Sequence, residues 1–297
     1  MTTISARVIL KSQHAVTGDT LTTMLLRYPR CIHSELMTHR VFSRNSASSR
    51  AIPVKKMIES VIADPFVPMF WGKNQKGMQA GEEHTAPVNI DEEGVYLAET
   101  REGAWLTAMD HAVVMACAFD DAGYHKQIVN RLLEPFMHIT VLVSSTTWEN
   151  WDRLRIHKDA EPHINLLAKR MKIARDEATV QILLSGEWHM PFVGNWVDQI
   201  LPVDELLKLS VARCASTSYK TVDGFDMTLE RAREIYDKML NAEVFHASPF
   251  EHVAQADTCG TQPLGLEPKA WQWSHPEEHG NFETAFRQLR RQLPGGR

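Results

Sequence analysis

Along the chain, short runs of β-branched and apolar residues alternate with stretches of helical spacing, so the pattern predicts a mixed α and β content. Residues Ala6 to Leu10 read as a strand. Thr20 to Arg27 is apolar without clear alternation and fits the start of either a helix or a strand before the Tyr28-Pro29 break. From Cys31 to His39 the positions Ile32, Leu36 and Met37 approximate helical spacing, which would set Glu35 and His39, four residues apart, on one face. The polar, small-residue segment Ser43 to Arg50 reads as a loop stopped by Pro53. Helices are predicted over Lys55 to Ala63, Arg101 to Phe119, Tyr124 to Leu133, Asp159 to Leu184, the stretch from Pro202 to Ala215, and Leu229 to Leu240. Ile139 to Val143 is the clearest strand, because β-branched residues dominate it. Trp71 to Pro87 reads as a loop, and a less regular part begins at about residue 254. No internal repeat or low-complexity segment interrupts the chain, which is read as one domain over 1–297.

At 297 residues and 43% hydrophobic, the chain can bury a core without a disulfide or metal staple. The balance of 32 basic against 37 acidic residues, net −5, excludes the global positive field that drives duplex or membrane binding. No nucleic-acid or membrane partner is expected. The four cysteines, Cys31, Cys117, Cys214 and Cys259, lie far apart and form no CxxC pair. With no apolar run long enough to span a bilayer and no export-type leader in MTTISARVIL, a cytoplasmic location is predicted.

Three constellations carry chemistry. The first is Thr38-His39-Arg40, then seven residues and Ser48, with Asn45 between and Arg50 two beyond. Arg50 offers a planar fork for a phosphate, Ser48 adds a short donor, and the loop amides supply further ones. The second runs from Arg131, four residues before Pro135, through the predicted strand to Asn150 and Arg155. The third joins Ala212-Arg213-Cys214 through Tyr219 to Ser248-Pro-Phe-Glu-His252. Neither HExxH nor a Cys/His ligand set is present, so no metal is predicted. The loop Gly72-Lys73 to Gly81 lacks phosphate-loop spacing, and the tryptophans Trp71, Trp148, Trp151, Trp271 and Trp273 read as packing residues. Cys214, in a small apolar neighbourhood, reads as a buried structural thiol.

These stretches resemble the signature of the flavin-dependent thymidylate synthases, written Arg-His-Arg, seven residues, Ser, then Arg. Thr38, Ser46 and Ala51 stand where the family has arginine, glutamate and tyrosine. Ser48-Arg50 and the Ser-Pro-Phe-Glu-His stretch match, although here the latter follows the first motif, so the chain resembles a rearranged, circularly permuted relative, in the manner of a phage-type pyrimidine-modifying enzyme. The resemblance implies an α+β fold with a twisted central sheet flanked by helices, like the thymidylate synthase-complementing proteins, assembled as a homotetramer with sites between subunits. It implies FAD as cofactor, NADPH as reductant and 5,10-methylenetetrahydrofolate as carbon donor. On the nucleotide side it implies Glu35, Ser46, Ser48, Arg50 and Arg131, with Arg155 polarising the base so that C5 becomes nucleophilic. On the flavin and folate side it implies His39, Arg40, Asn45, Asn150 and His252. The implied reaction is conversion of dUMP to dTMP. The alternatives are a dUMP or dCMP 5-hydroxymethylase built on the same site, and a non-catalytic nucleotide- or flavin-binding homologue.

Overall fold

The computed structural model describes residues 4–79, 81–92, 95–194, 198–216, 227–243, 245–260 and 271–296. The strands are β1 (Ser5–His14), β2 (Thr20–Pro29), β3 (Ser43–Ser46), β4 (Val88–Glu92), β5 (Val95–Glu99), β6 (His138–Ser145), β7 (Gln181–Leu183), β8 (Trp188–His189), β9 (Ala254–Ala256) and β10 (Phe286–Gln288). The helices are α1 (His33–Met37), α2 (Val54–Ala63), α3 (Arg101–Asp121), α4 (Lys126–Val129), α5 (Glu149–Arg155), α6 (Pro162–Glu177), α7 (Val203–Ala215), α8 (Leu229–Leu240) and α9 (Leu289–Gln292). The fold is α+β, with a mixed central sheet flanked by helices, as expected.

The central sheet runs β3-β6-β2-β1-β7. All its pairs are antiparallel except β1 with β7. Strand β2 is buried almost throughout, because both faces of the sheet are covered. On one face Met24, Leu26 and Tyr28 of β2 and Ile139, Val141 and Val143 of β6 pack with Ile164, Leu167, Ala168 and Met171 of α6. Those four α6 residues fall at i, i+3, i+4 and i+7, one stripe of a helix. On the other face Leu21, Leu25 and Leu142 meet residues of the C-terminal half, among them Phe286 and Cys214. A strand covered on both sides loses its polar alternation, which is why Thr20 to Arg27 fits helix and strand alike from sequence.

Several expectations are corrected. The predicted loop from Ser43 opens as strand β3, which pairs with β6 through Ser46; its polar side chains hide a strand because they bond to buried partners rather than to water. The predicted helix to Leu184 ends at Glu177, where Ala178 turns extended and residues 181–183 join the edge of β1. Thr179, Val180 and Ile182 favour that outcome, since branching at Cβ suits a strand. The predicted helix over Tyr124 to Leu133 is a short α4 followed by a 3₁₀ segment, Asn130–Phe136, that carries Pro135. The hairpin β4–β5 was not expected.

A second core joins Val54, Met57 and Val61 of α2 to Met109 and Ala116 of α3 and to Leu133 and Phe136. The C-terminal part, expected to be irregular from about 254, supplies β9 and β10 of a three-stranded sheet ordered β10-β9-β8, whose third strand comes from residues 188–189. It is tied down by Asp257, 1% exposed. The Asp257 carboxylate pairs with His275 Nδ1 and with His279 Nε2, both at 2.9 Å, while its backbone carbonyl meets His14 Nε2 of β1 at 2.8 Å. Burial raises the Asp257 carboxyl, but its bonds to His275, His279 and two backbone amides outweigh that and hold it below its usual value. Asp257→Asn is expected to cost about 3 kcal/mol of stability in denaturant titrations, because two charge-assisted bonds are lost together. An unchanged midpoint would mean that the cluster does not anchor the C-terminal layer.

Candidate functional site

The site begins with how α5 is held. Arg175 of α6 makes a two-pronged contact with Asp152 of α5, at 2.6 and 2.8 Å, and its guanidinium lies 4.5 Å over the Trp148 ring. Asn165 of α6 donates to the carbonyls of Arg155 and His157, both at 2.9 Å. The last turn of α5 is thereby fixed. Across from it, Arg44 of β3 donates to the carbonyls of Met37 and His39 at 2.8 and 3.0 Å. A guanidinium in that place caps the C-terminal end of α1.

Arg155 bridges these two supports. Its Nη1 pairs with Glu35 Oε2 at 2.7 Å and its Nε donates to His39 Nε2 at 3.1 Å. Its Nη2 makes only long contacts, 3.4 Å each, to the Glu35 carbonyl and Thr38 Oγ1. Because His39 Nε2 accepts from a cation, its proton sits on Nδ1 and the ring is neutral. Burial, then Arg155 and Arg44, push the His39 pKa down to about 4, consistent with that state. His39 is 6% exposed, stacked on Phe42 at 5.8 Å and edge-on to Trp151 at 4.7 Å. Its Nε2, on the ring expected on the flavin side, is bonded to Arg155. Arg40, next in sequence, is exposed.

The loop after β3 docks on the second motif stretch. Asn130 Nδ2 donates to the carbonyls of Ser49 and Ile52, at 2.7 and 2.9 Å, and Lys126 Nζ to that of Ala51 at 3.0 Å. Ser49 Oγ donates to Glu134 Oε1 at 3.0 Å. Arg30 and Arg131 each approach that same oxygen, at 3.6 Å. Ser48 and Arg50 stay exposed on this loop, the Ser48 hydroxyl accepting from the Arg50 amide at 3.3 Å. Arg131, Ser48 and Arg50 thus come from two segments joined by direct bonds. Ser46 is half-buried in β3. Asn150 is exposed and accepts from Arg153 Nη2 at 3.0 Å.

The third stretch reaches the first through Asn45, whose Nδ2 donates to the Cys214 carbonyl at 2.7 Å and whose Oδ1 accepts from Ser248 Oγ at 3.4 Å. Arg213 serves the fold: it is buried against Asp198 at 2.8 Å and donates to the Phe192 carbonyl. Tyr219 lies outside the described residues. Cys214 is fully buried and burial pushes its thiol well up, as befits a structural residue. His252 Nδ1 meets Ser144 Oγ of β6 at 2.8 Å. Sequence reasoning missed Ser49, Asn130, Glu134, Ser144 and Asn165. Ser49, Asn130 and Glu134 had a signal in their places beside Ser48 and Arg50, Arg131 and Pro135, whereas Ser144 and Asn165 had none. Among the described residues no group of three or more His, Cys, Asp or Glu is arranged to hold a metal ion. No helix among them is long and apolar enough to cross a membrane. An open groove of about 560 Å³ runs along β1 beside Ala174 and residues 177–181, and none of the motif residues lines it.

No family model and no curated protein matches the chain. Among solved structures it is similar to a UMP/dUMP methylase PolB from Streptomyces cacaoi. With 5-Br dUMP bound, that structure is 14% identical with a TM-score of 0.42, over 59% of this chain and 91% of the other. With 5-Br UMP bound, it is 15% identical with a TM-score of 0.43, over 60% and 90%. The chain is also similar to the flavin-dependent thymidylate synthase ThyX of Helicobacter pylori complexed with FAD and dUMP, 16% identical, TM-score 0.33, over 52% and 67%. Identities and scores this low leave the function to be read from this chain's own side chains.

Two buried histidines set a pH dependence. His189 and His252 are fully buried, and burial pushes both pKa values down to about 3. In the unfolded chain each takes a proton near pH 6.5, so stability is undiminished above that pH and falls as pH drops from about 6.5 toward 3. Each contributes about 1.4 kcal/mol per pH unit in that window. From these two rings denaturant titrations at pH 6 and pH 5 should therefore differ by about 2 kcal/mol, and the lowered His39 adds to the difference in the same direction. A difference below about 1 kcal/mol would mean that these rings titrate almost normally in the fold.

Proposed function

We propose that this protein transfers a one-carbon unit from methylenetetrahydrofolate to C5 of a pyrimidine deoxynucleoside monophosphate, converting dUMP to dTMP, with FAD bound and NADPH as reductant. The observation that carries this reading is the convergence of motif stretches: Arg155 meets His39, 116 residues away in sequence, at 3.1 Å, and Glu35 at 2.7 Å.

In this reading Arg50, Ser48 and Arg131 take the phosphate, with Ser46 behind them in β3. Arg155 lies against the base. Glu35 and His39 hold two edges of its guanidinium, leaving Nη2, which has only long contacts, to hydrogen-bond a ring carbonyl. Negative charge developing on the ring is then stabilised by a fixed cation, and C5 becomes nucleophilic without an enzyme thiol. The buried, protonated Cys214 fits a route that uses no thiolate. The residues present partly fit a flavin: Arg40 and Asn150 are exposed, and His252 Nε2 is buried without a partner among the described residues. His39, bonded to Arg155, would act from behind that guanidinium instead. When bound and reduced by NADPH, the flavin would supply the hydride that reduces the transferred methylene to methyl. The homotetramer with intersubunit sites, the permuted motif order and the cytoplasmic setting belong to the same proposal.

A second reading, a dUMP or dCMP 5-hydroxymethylase, is favoured by Thr38. With threonine in place of the family's arginine, the short side chain donates to the Glu35 carbonyl at 2.7 Å and leaves the Glu35 side chain 36% exposed. Water then has a route toward the methylene adduct.

The test is the visible spectrum of the purified protein, followed by incubation with dUMP or dCMP and methylenetetrahydrofolate under reducing conditions, read by product mass. A flavin spectrum with a C5-methyl product is expected, a C5-hydroxymethyl product selects the second reading, and a colourless protein without turnover sinks both. Arg155→Ala is expected to lower kcat by about 100- to 1000-fold while flavin stays bound. Arg50→Ala and Arg131→Ala should each raise the nucleotide KM about 10- to 100-fold with a smaller change in kcat, since one charge-assisted bond is removed.

A further inference from the structure

Beneath the site a row of buried polar side chains crosses the sheet. Ser12 Oγ of β1 lies 2.8 Å from His189 Nδ1, and His189 Nε2 lies 2.8 Å from Thr23 Oγ1 of β2. Thr23 Oγ1 is 2.6 Å from Ser144 Oγ of β6, which is 2.8 Å from His252 Nδ1. All five residues are fully buried. The row ends at His252 Nε2, buried and without a hydrogen-bond partner among the described residues.

The row can be oriented in two ways, and counting protons separates them. Both rings are neutral, so each has one N–H and one acceptor nitrogen. In one orientation Ser12 donates to His189, His189 to Thr23, Thr23 to Ser144, and Ser144 to His252 Nδ1. The only orphan donor is then the His252 Nε2–H. In the reverse orientation the Ser12 hydroxyl proton has no acceptor and the His252 Nε2 lone pair has no donor, so two groups go unmet. Each unmet buried polar group is destabilising, and while both orientations leave one donor unmet, the reverse one leaves an acceptor unmet as well. The first orientation is the more stable.

We propose that His252 Nε2–H is a hydrogen-bond donor to a carbonyl oxygen or unprotonated ring nitrogen of a planar heterocycle bound beside β3, and that Ser144, Thr23, His189 and Ser12 are positioning residues that fix this tautomer. The ligand side is located by Ser248, four residues before His252, which bonds to Asn45 of β3. Naming the heterocycle as the flavin or the pyrimidine rests on the function proposed above, whereas the tautomer does not. The row satisfies every proton except one, and that one is the group a ligand acceptor would complete.

The test reads ring nitrogen-15 shifts of the ligand-free protein, then titrates FAD and dUMP into the wild type and variants. Wild-type His252 and His189 should both be Nε2–H. Thr23→Ser and Thr23→Val should both leave the two rings as Nε2–H, because Ser12 still donates to His189 Nδ1 and Ser144 to His252 Nδ1, and reversing either ring would leave two groups unmet instead of one. Ser144→Ala should mix the His252 tautomers and weaken whichever of FAD and dUMP the wild type binds by about 10-fold, with the fold intact by circular dichroism. His252→Gln, whose amide accepts on one side and donates on the other, should bind within about threefold of wild type, while His252→Leu should lose about 10-fold. A wild-type His252 protonated on Nδ1 overturns the proposal, as does unchanged affinity in Ser144→Ala. If the wild type binds neither probe, the proposed function falls, and the nitrogen-15 shifts alone decide the tautomer.

Discussion

The antiparallel pair of β2 and β6 sits between two packed layers, α6 with its apolar stripe on one face and the C-terminal segments on the other, so neither strand presents a face to water. Burial on both sides has opposite consequences for the two faces. Met24, Leu26, Val141 and Val143 meet α6 with apolar surface alone, and close packing suffices. On the reverse face Thr23 and Ser144, directly opposed in the register, must find hydrogen-bond partners, because an unmet hydroxyl there is costly. Their partners are His189 and His252, brought by the C-terminal half. Polar residues in the middle of the sheet thus determine which histidine from a distant segment docks, and in which rotamer and tautomer.

The same sheet places the cation at the site. Helix α6 lies on the apolar face, and its Arg175 and Asn165 hold α5 at the turn from which Arg155 projects. On the other side α1 follows β2 and is capped by Arg44, a residue of β3 two places before Ser46. Arg155 spans the gap. Three arginines therefore act in different ways on one geometry, since Arg175 clamps α5, Arg44 caps α1, and Arg155 is presented between them. Removal of either support would leave Arg155 present but misaimed, a loss that acts through geometry rather than through charge.

The strand β6 and the helices α2, α3, α7 and α8 were legible in the sequence because their own residues favour those conformations, β-branched side chains in β6 and good helix formers in the helices. Elements whose identity depends on a distant partner were not. Strand β3 is a row of Ser, Arg and Asn that becomes a strand only because β6 offers an open edge, and β7 forms only because β1 offers its other edge from Ser12 to His14. At the site, motif spacing singled out Glu35, His39, Arg155 and Asn45, and these do meet one another or the neighbouring motif. It placed His39 on the flavin and folate side but did not show that the ring bonds to Arg155, enclosed by Phe42 and Trp151. Aromatic packing of that kind is decided in three dimensions, and Trp151 gives no sequence sign of which ring it will touch.

The electrostatics divide the region into two parts suited to different loads. Around Glu134 stand Arg30 and Arg131, with the Arg50 loop pinned alongside, so several guanidiniums share one carboxylate and an excess of positive charge remains. Such an excess suits a dianion, whose binding it strengthens most when salt is low. Around Arg155 the balance differs, because Glu35 offsets its charge and His39 is neutral. A second cation at His39 would repel Arg155, so the burial that keeps the ring uncharged also keeps the guanidinium in place. What Arg155 offers is then a directed donor with little net field, suited to an uncharged ring carbonyl that gains negative charge only as a reaction proceeds. A phosphate drawn to Arg155 would have to compete with Glu35 for it, whereas the Arg131 patch lies open. In the function proposed above, that contrast would orient the nucleotide with its phosphate toward Glu134 and its base toward Glu35.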